Sequence, residues 1–181
     1  MRNKIKRYIS LFLCLVLLLP VVACGQEEKK ETNQLSEIVL QEAEDSFRYL
    51  WELAQTDEST GAYGLVRDRY PGSVNMASTA ATGFALAGIP YGIEKGWITE
   101  EEGRERAEKT LDTLLELENY SGFLYHFIDM KNGKHSPGSE VSVIDTGILL
   151  SGAIVCGEYF GGTVTENLIG LPGLPSCITK L

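Results

Sequence analysis

The chain has 181 residues, of which 44% are hydrophobic and 23% charged, and its formal net charge is −9. An acidic surplus argues against nucleic acid as a partner, because phosphate contact needs a basic surface. Four cysteines and two histidines are too few for a disulfide scaffold and lack metal-ligand spacing, so neither a metal nor another cofactor is expected.

Residues 1–23 read as a signal peptide of the lipoprotein type. Arg2, Lys4, Lys6 and Arg7 precede the apolar run ISLFLCLVLLLPVVA, which is short for a membrane-spanning helix. Val21-Val22-Ala23-Cys24 then resembles a lipobox, in which the Cys24 thiol carries the lipid. The expected localisation is export with lipid anchoring to the bacterial cell membrane, on its outer face or periplasmic side. A signal peptide cleaved near Ala23, or an N-terminal membrane anchor, is the alternative. Residues 24–35 contain EEKKETNQ and read as a polar tether.

Four helical segments follow, of two kinds. Residues 36–55 place Val39, Ala43, Phe47, Leu50, Trp51 and Ala54 on one stripe, with most of the charges elsewhere. Residues 99–118 open with a capping box, Thr99 and Glu102, and carry Ala107, Leu111, Leu114 and Leu115 along one side. These two helices are amphipathic. Residues 76–93 contain no charge, and residues 144–160 contain none between Asp145 and Glu158. Both are rich in Gly, Ala and Ser. Helices apolar all round are usually enclosed by protein, and glycine is tolerated in them only where close packing compensates. Cys156 falls in this pattern as a small core residue. The order outer, inner, outer, inner, with long connections at 56–75 and 119–143, suggests an α/α toroid whose loops gather at one end. A plain helical bundle is the competing architecture.

The second long connection alternates Phe123, Tyr125 and Phe127 before Asn132-Gly133, which reads as a β-hairpin. Alternation aims His126 away from Tyr125 and Phe127, toward a cleft. Tyr120, Phe123, Tyr125 and His126 suit sugar rings, whose C–H faces are apolar and whose edges are polar; cross-strand packing accounts for some of them equally well. Asp68 and Arg69 in GLVRDRYPGS read either as cleft residues bonding sugar hydroxyls or as a salt-bridged surface loop. Glu140 and Asp145 stand at the entrance of the last apolar helix. Ser142 followed by Asp145 fits a capping box, whereas Glu140 gains less from capping. Glycoside hydrolysis uses two carboxylates, roughly 6.5–9.5 Å apart in inverting enzymes. A carboxylate at an apolar rim is placed to have the raised pKa of a general acid.

The segments DRYPGSVNMASTAATGFALAGIPYGIEKGWIT, LENYSGFLYHFIDMKNGK and SEVSVIDTGILLSGAIVCGEYF together resemble the glycoamylase-like family, which includes secreted or lipid-anchored endo-β-1,2-glucanases. The likeness runs from about residue 36 to 162. It implies an all-α (α/α)6 toroid, action on a β-linked glucan, no metal, and an inverting mechanism. It places Asp68, Arg69, Tyr125, His126, Glu140 and Asp145 in segments that face the substrate cleft; as the two carboxylates at the helix entrance, Glu140 and Asp145 are the candidate catalytic residues. A full toroid has about twelve helices, of which this chain supplies about four. Residues 163–181 lose helical periodicity and read as an aberrant tail, the product of a truncated or frame-shifted gene, or else as a divergent C-terminus that pairs with another chain. The expected product is therefore a truncated, exported glycoside hydrolase, inactive alone. The alternatives are a non-catalytic glycan-binding lipoprotein, or a helical interaction protein completed by a partner chain.

Overall fold

The computed structural model describes residues 36–171. The expected signal peptide, Cys24, the tether and the last ten residues of the tail lie outside the described residues.

Helix α1 covers 36–52. Its residues up to Ala43 fall in one compact unit and Glu44 onward in another. In the first unit Val39 is exposed, contrary to the buried stripe expected of it. In the second unit the order is β1 (Met76–Ser78), α2 (Thr79–Glu94), α3 (Glu100–Glu116), β2 (Asn119–Tyr120), β3 (Phe123–Leu124), β4 (Phe127–Asp129), α4 (Val143–Phe160) and α5 (Gly162–Gly170). The protein is mostly helical, with small antiparallel strand pairs β1–β4 and β2–β3.

The two amphipathic segments are helices, and the expected capping box forms. Glu102 accepts from the Thr99 N–H at 2.7 Å, while the Thr99 hydroxyl accepts from the Glu102 N–H at 3.2 Å. Ala107, Leu111 and Leu114 are buried along one side of α3. Arg106 of α3 lies 4.2 Å over the Trp51 ring and donates to the Trp51 carbonyl at 3.2 Å, fastening α3 to the end of α1 by charge, dispersion and a hydrogen bond.

Helices α2 and α4, charged only near their ends, pack on each other. Glycine makes their approach possible. A Cβ on Gly152 would lie 1.9 Å from the Gly83 carbonyl oxygen, and one on Gly83 would lie 2.6 Å from the Leu149 Cα. Leu86, Leu149, Ala153 and Cys156 are buried there. The Cys156 thiol donates to the Leu86 carbonyl at 3.0 Å, and burial pushes its pKa up to about 12, so it is a core residue and not a reactive thiolate. The enclosure is one-sided: Phe84 of α2 and Ile144, Val155 and Tyr159 of α4 remain exposed.

Each of these helices is entered through the same frame. In the first copy, Val66 gives its N–H to the Thr82 hydroxyl at 3.1 Å and takes the Ser78 N–H at 3.0 Å; the Thr82 hydroxyl donates to the Ser78 carbonyl. In the second copy, Leu124 gives its N–H to the Thr146 hydroxyl at 2.9 Å and takes the Ser142 N–H at 2.9 Å; the Thr146 hydroxyl donates to the Ser142 carbonyl. Ser78 and Ser142 are the N-caps. Two residues beyond each strand contact, Asp68 N–H donates to the Met76 carbonyl and His126 N–H to the Glu140 carbonyl, both at 2.9 Å. The copies touch: Thr79 N–H donates to the His126 carbonyl at 3.0 Å, and its hydroxyl to that of Tyr125 at 2.6 Å.

Three expectations need correction. Met76–Ser78 is a strand and not helix, because it pairs with Asp129–Phe127. The Asn132-Gly133 turn forms, with Gly133 at φ +68 and Asp129 bonded to Lys134 at 2.7 Å, but it spans four residues. The two-residue turn lies at Ser121-Gly122, between β2 and β3. Finally, residues 162–170 are helical. Val164 and Leu168, one turn apart, are buried, and the Asn167 amide donates to Asp112 of α3 at 2.7 Å.

Candidate active site

Antiparallel pairing of Tyr125 with Val141 sets His126 opposite Glu140. Cross-strand neighbours share a face, and here the side chains meet. His126 Nδ1 lies 2.8 Å from Glu140 Oε1, and His126 Nε2 lies 3.7 Å from Asp145 Oδ1. The imidazole therefore stands between the two carboxylates singled out by the sequence. Allowing about 2 Å for the ring itself, the carboxylates are no more than about 9 Å apart, which the inverting spacing permits. The interval holds imidazole. Exposure rises along the series, with side chains 15% exposed at Asp145, 29% at His126 and 63% at Glu140.

The electrostatics of Glu140 reverse the expectation of a raised pKa. Its own backbone N–H, and then the His126 ring N–H, hold the carboxyl below the ordinary glutamate range. A hydrogen bond to the ionised form favours that form. Glu140 is thus poised as an anion, the state of a base. Its charge contributes to stability fully above the unfolded-state value near 4.5, and that contribution is lost as pH falls through the lowered folded value.

Asp145 serves two purposes. Its N–H donates to the Ser142 hydroxyl at 3.2 Å, and that hydroxyl donates in turn to Asp145 Oδ2. The cap expected from the sequence is present, with one change: the Ser142 N–H goes to Leu124, so the Asp145 carboxylate takes the hydroxyl instead. This engages Oδ2 and leaves Oδ1 on the His126 side. Replacing Ser142 by Ala is expected to cost about 1 kcal/mol through the lost cap, read as a lower urea midpoint at unchanged m-value.

The remaining sequence candidates are placed elsewhere. Asp68 pairs with Arg69, whose Nε donates to Asp68 Oδ2 at 2.7 Å; Arg67 ties the loop through the carbonyls of Gly72 and Pro71. Asp68 sits opposite Met76 and His126 beside Thr79, three residues further along, roughly 10 Å at strand spacing. Among the described residues no hydrogen bond or ion pair joins Asp68 or Arg69 to His126, Glu140 or Asp145. Tyr125 stacks on His135 at 4.2 Å, and His135 meets Glu118 at 2.7 Å. His126 does not point away from Phe127: the chain bends at His126, and the two rings stack at 3.6 Å. Tyr120 and Phe123 remain exposed. Among the described residues, no group of three or more His, Cys, Asp or Glu side chains is arranged to hold a metal ion.

Sequence reasoning missed Thr146, which fixes the helix end that carries Asp145. Its signal was the repeated spacing S-x-x-x-T-G, present as STAATG and SVIDTG.

No protein-family profile matches the chain. It is 36% identical over 122 residues to an exo-β-1,2-glucooligosaccharide sophorohydrolase of Parabacteroides distasonis, a match that covers 65% of this chain and 16% of that protein. It superposes with a TM-score of 0.60 and 31% identity on a β-1,2-glucanase of the same species, covering 71% of this chain and 19% of that one. The likeness to glucoamylase-like β-1,2-glucanases therefore holds over most of the chain. A glucoamylase candidate from Bacteroides uniformis is also similar, with a TM-score of 0.61, 25% identity, and coverage of 71% of this chain and 32% of that one. The chain thus spans about a sixth of the sophorohydrolase and at most a third of these solved structures.

Proposed function

We propose that this chain forms an arc of an (α/α)6 toroid, about four of its twelve helices, and that its rim engages β-1,2-linked glucan for hydrolysis by carboxylate acid/base chemistry. One observation carries the reading. An exposed carboxylate held anionic, Glu140, stands within one imidazole of a second carboxylate, Asp145. That pair lies in a chain whose relative acts on β-1,2-glucooligosaccharides. In this reading Glu140 takes the proton of the attacking water, an acid on further toroid elements gives a proton to the departing sugar oxygen as the glycosidic C–O bond breaks, and Asp145 and His126 border that bond. Tyr125, Asp68 and Arg69 are glucan contacts only if the sugar chain runs along the loop end of the helices. Export and lipid anchoring through Cys24 belong to the same proposal.

Cleavage in this reading needs further toroid elements, so the 181-residue chain by itself binds glucan and releases no reducing ends. The competing reading is a glycan-binding lipoprotein with no hydrolytic role in any context, favoured by the exposed rings of Tyr120 and Phe123, which a sugar face can cover. Calorimetry with sophorotriose, beside a reducing-sugar assay on β-1,2-glucan, gives the first test. Absence of binding would refute both readings. The two part on a chain that completes the ring from the Parabacteroides relative: hydrolysis there, abolished by Glu140→Gln, supports the enzyme, and binding without product supports the lipoprotein.

A further inference from the structure

The proposed chemistry uses Glu140 and Asp145 but leaves open why an imidazole is inserted between them. Three facts bear on it. Asp145 is the most enclosed of the three side chains, and its Oδ2 is already fixed by the Ser142 hydroxyl. His126 is locked on one face by the Phe127 ring at 3.6 Å and through its backbone by Glu140 and Thr79. Glu140 is the most exposed and reaches the ring through a single oxygen, Oε1, at 2.8 Å. Its rotamers would otherwise be free, because a glutamate with this exposure pays entropy to hold one geometry.

This is the order of a nucleophile or base aligned by an imidazole that is itself aligned by an enclosed carboxylate. We propose that His126 is a positioning residue that fixes the orientation and charge of Glu140, with Asp145 as the anchor that fixes His126. The proposal rests on the reading of Glu140 as the reactive carboxylate. It assigns Asp145 a task different from that of a second catalytic acid. With Glu140 ionised, the shared proton sits on Nδ1, which donates to Oε1. Nε2 faces Asp145 Oδ1 at 3.7 Å, too far for a direct hydrogen bond; the Asp145 carboxylate attracts and orients the ring when both of its nitrogens are protonated. The described ionisable groups facing His126 are Glu140 and Asp145.

The test uses the 181-residue chain without glucan, so its result is separate from that of the binding experiment. The Glu140 carboxyl is followed by 13C NMR through a pH titration, and the His126 ring nitrogens by 15N shifts. In His126→Phe, which keeps a ring against Phe127, the Glu140 midpoint is expected to shift upward. In Asp145→Asn, which keeps an acceptor for Ser142, the His126 15N pattern is expected to change. Glu140→Gln gives the reciprocal reading, a changed Nδ1 shift. An unmoved Glu140 midpoint in His126→Phe would overturn the positioning role. An unmoved His126 spectrum in Asp145→Asn would overturn the anchor. A general loss of structure would move every titration together, and amide spectra of distant α3 resonances separate that case. If His126→Phe does not fold, the Nδ1 shift in Glu140→Gln decides the first point, and its absence overturns the proposal.

Discussion

Gly152→Ala is expected to lower the melting temperature by about 10 °C, a loss of about 3 kcal/mol for a chain of this size. The added methyl would sit 1.9 Å from the Gly83 carbonyl oxygen and 2.7 Å from its carbon. Both are backbone atoms, so no rotamer change relieves the clash; α2 and α4 must separate. Separation opens the contacts of Leu86, Leu149 and Cys156, which are fully or almost fully buried. Gly147→Ala on the same helix is the control. Nothing lies within 4 Å of a Cβ there, so the better helix propensity of alanine should raise stability by up to about 1 kcal/mol. Opposite signs in the two melts are the expected result. Equal melts would mean that the helices do not cross at Gly83 and Gly152.

The second large effect concerns the buried hydroxyls at the helix entrances. Thr82→Val and Thr146→Val keep shape and remove one oxygen. Each strands a backbone N–H, that of Val66 or Leu124, in a place where Val66, Leu124 and both threonines are at most 2% exposed. A loss of about 2 kcal/mol is expected for each, the cost of an unsatisfied buried donor. The two should differ in their effect on glucan. Thr146→Val loosens the turn that carries Asp145 and should weaken sophorotriose binding; Thr82→Val lies in the other copy and should leave it unchanged. Urea unfolding gives the first comparison and calorimetry the second. Equal effects on binding would argue that Asp145 takes no part in the site.

Much of the helical layout was legible because its causes are local. A capping box at Thr99–Glu102, a charge-free run over α2 and glycines at helix crossings all leave marks within one turn or one face. The apolar helices announced their mutual burial, though not the open face of α4. Strand β1 left no mark, since three residues become extended only by pairing with Asp129–Phe127, some fifty positions later. The same applies to the site. Glu140 and Asp145 stood out as carboxylates in apolar company, and the cap on Asp145 was readable from Ser142. His126 gave no sign of lying between them, because a bend that stacks it on Phe127 overrides strand alternation. The pairing that delivers it, Tyr125 with Val141, is a tertiary event. Helix α5 was missed because nine residues with one buried turn give too little periodicity to register.

The doubled helix entrance separates what holds this protein together from what it displays. Every bond in that frame is made by main-chain atoms or by a serine and a threonine. The side chains it presents lie outside those bonds, apart from the Asp145 carboxylate that takes the Ser142 hydroxyl: His126, Glu140 and Asp145 in one copy correspond to Asp68, Met76 and Ala81 in the other. One mounting has been fitted with ionisable groups, and its twin has been left largely blank. A scaffold of this kind tolerates re-equipping, since the bonds that hold the entrance do not depend on which side chain stands at the first two addresses, and at the third depend on it only through one serine hydroxyl.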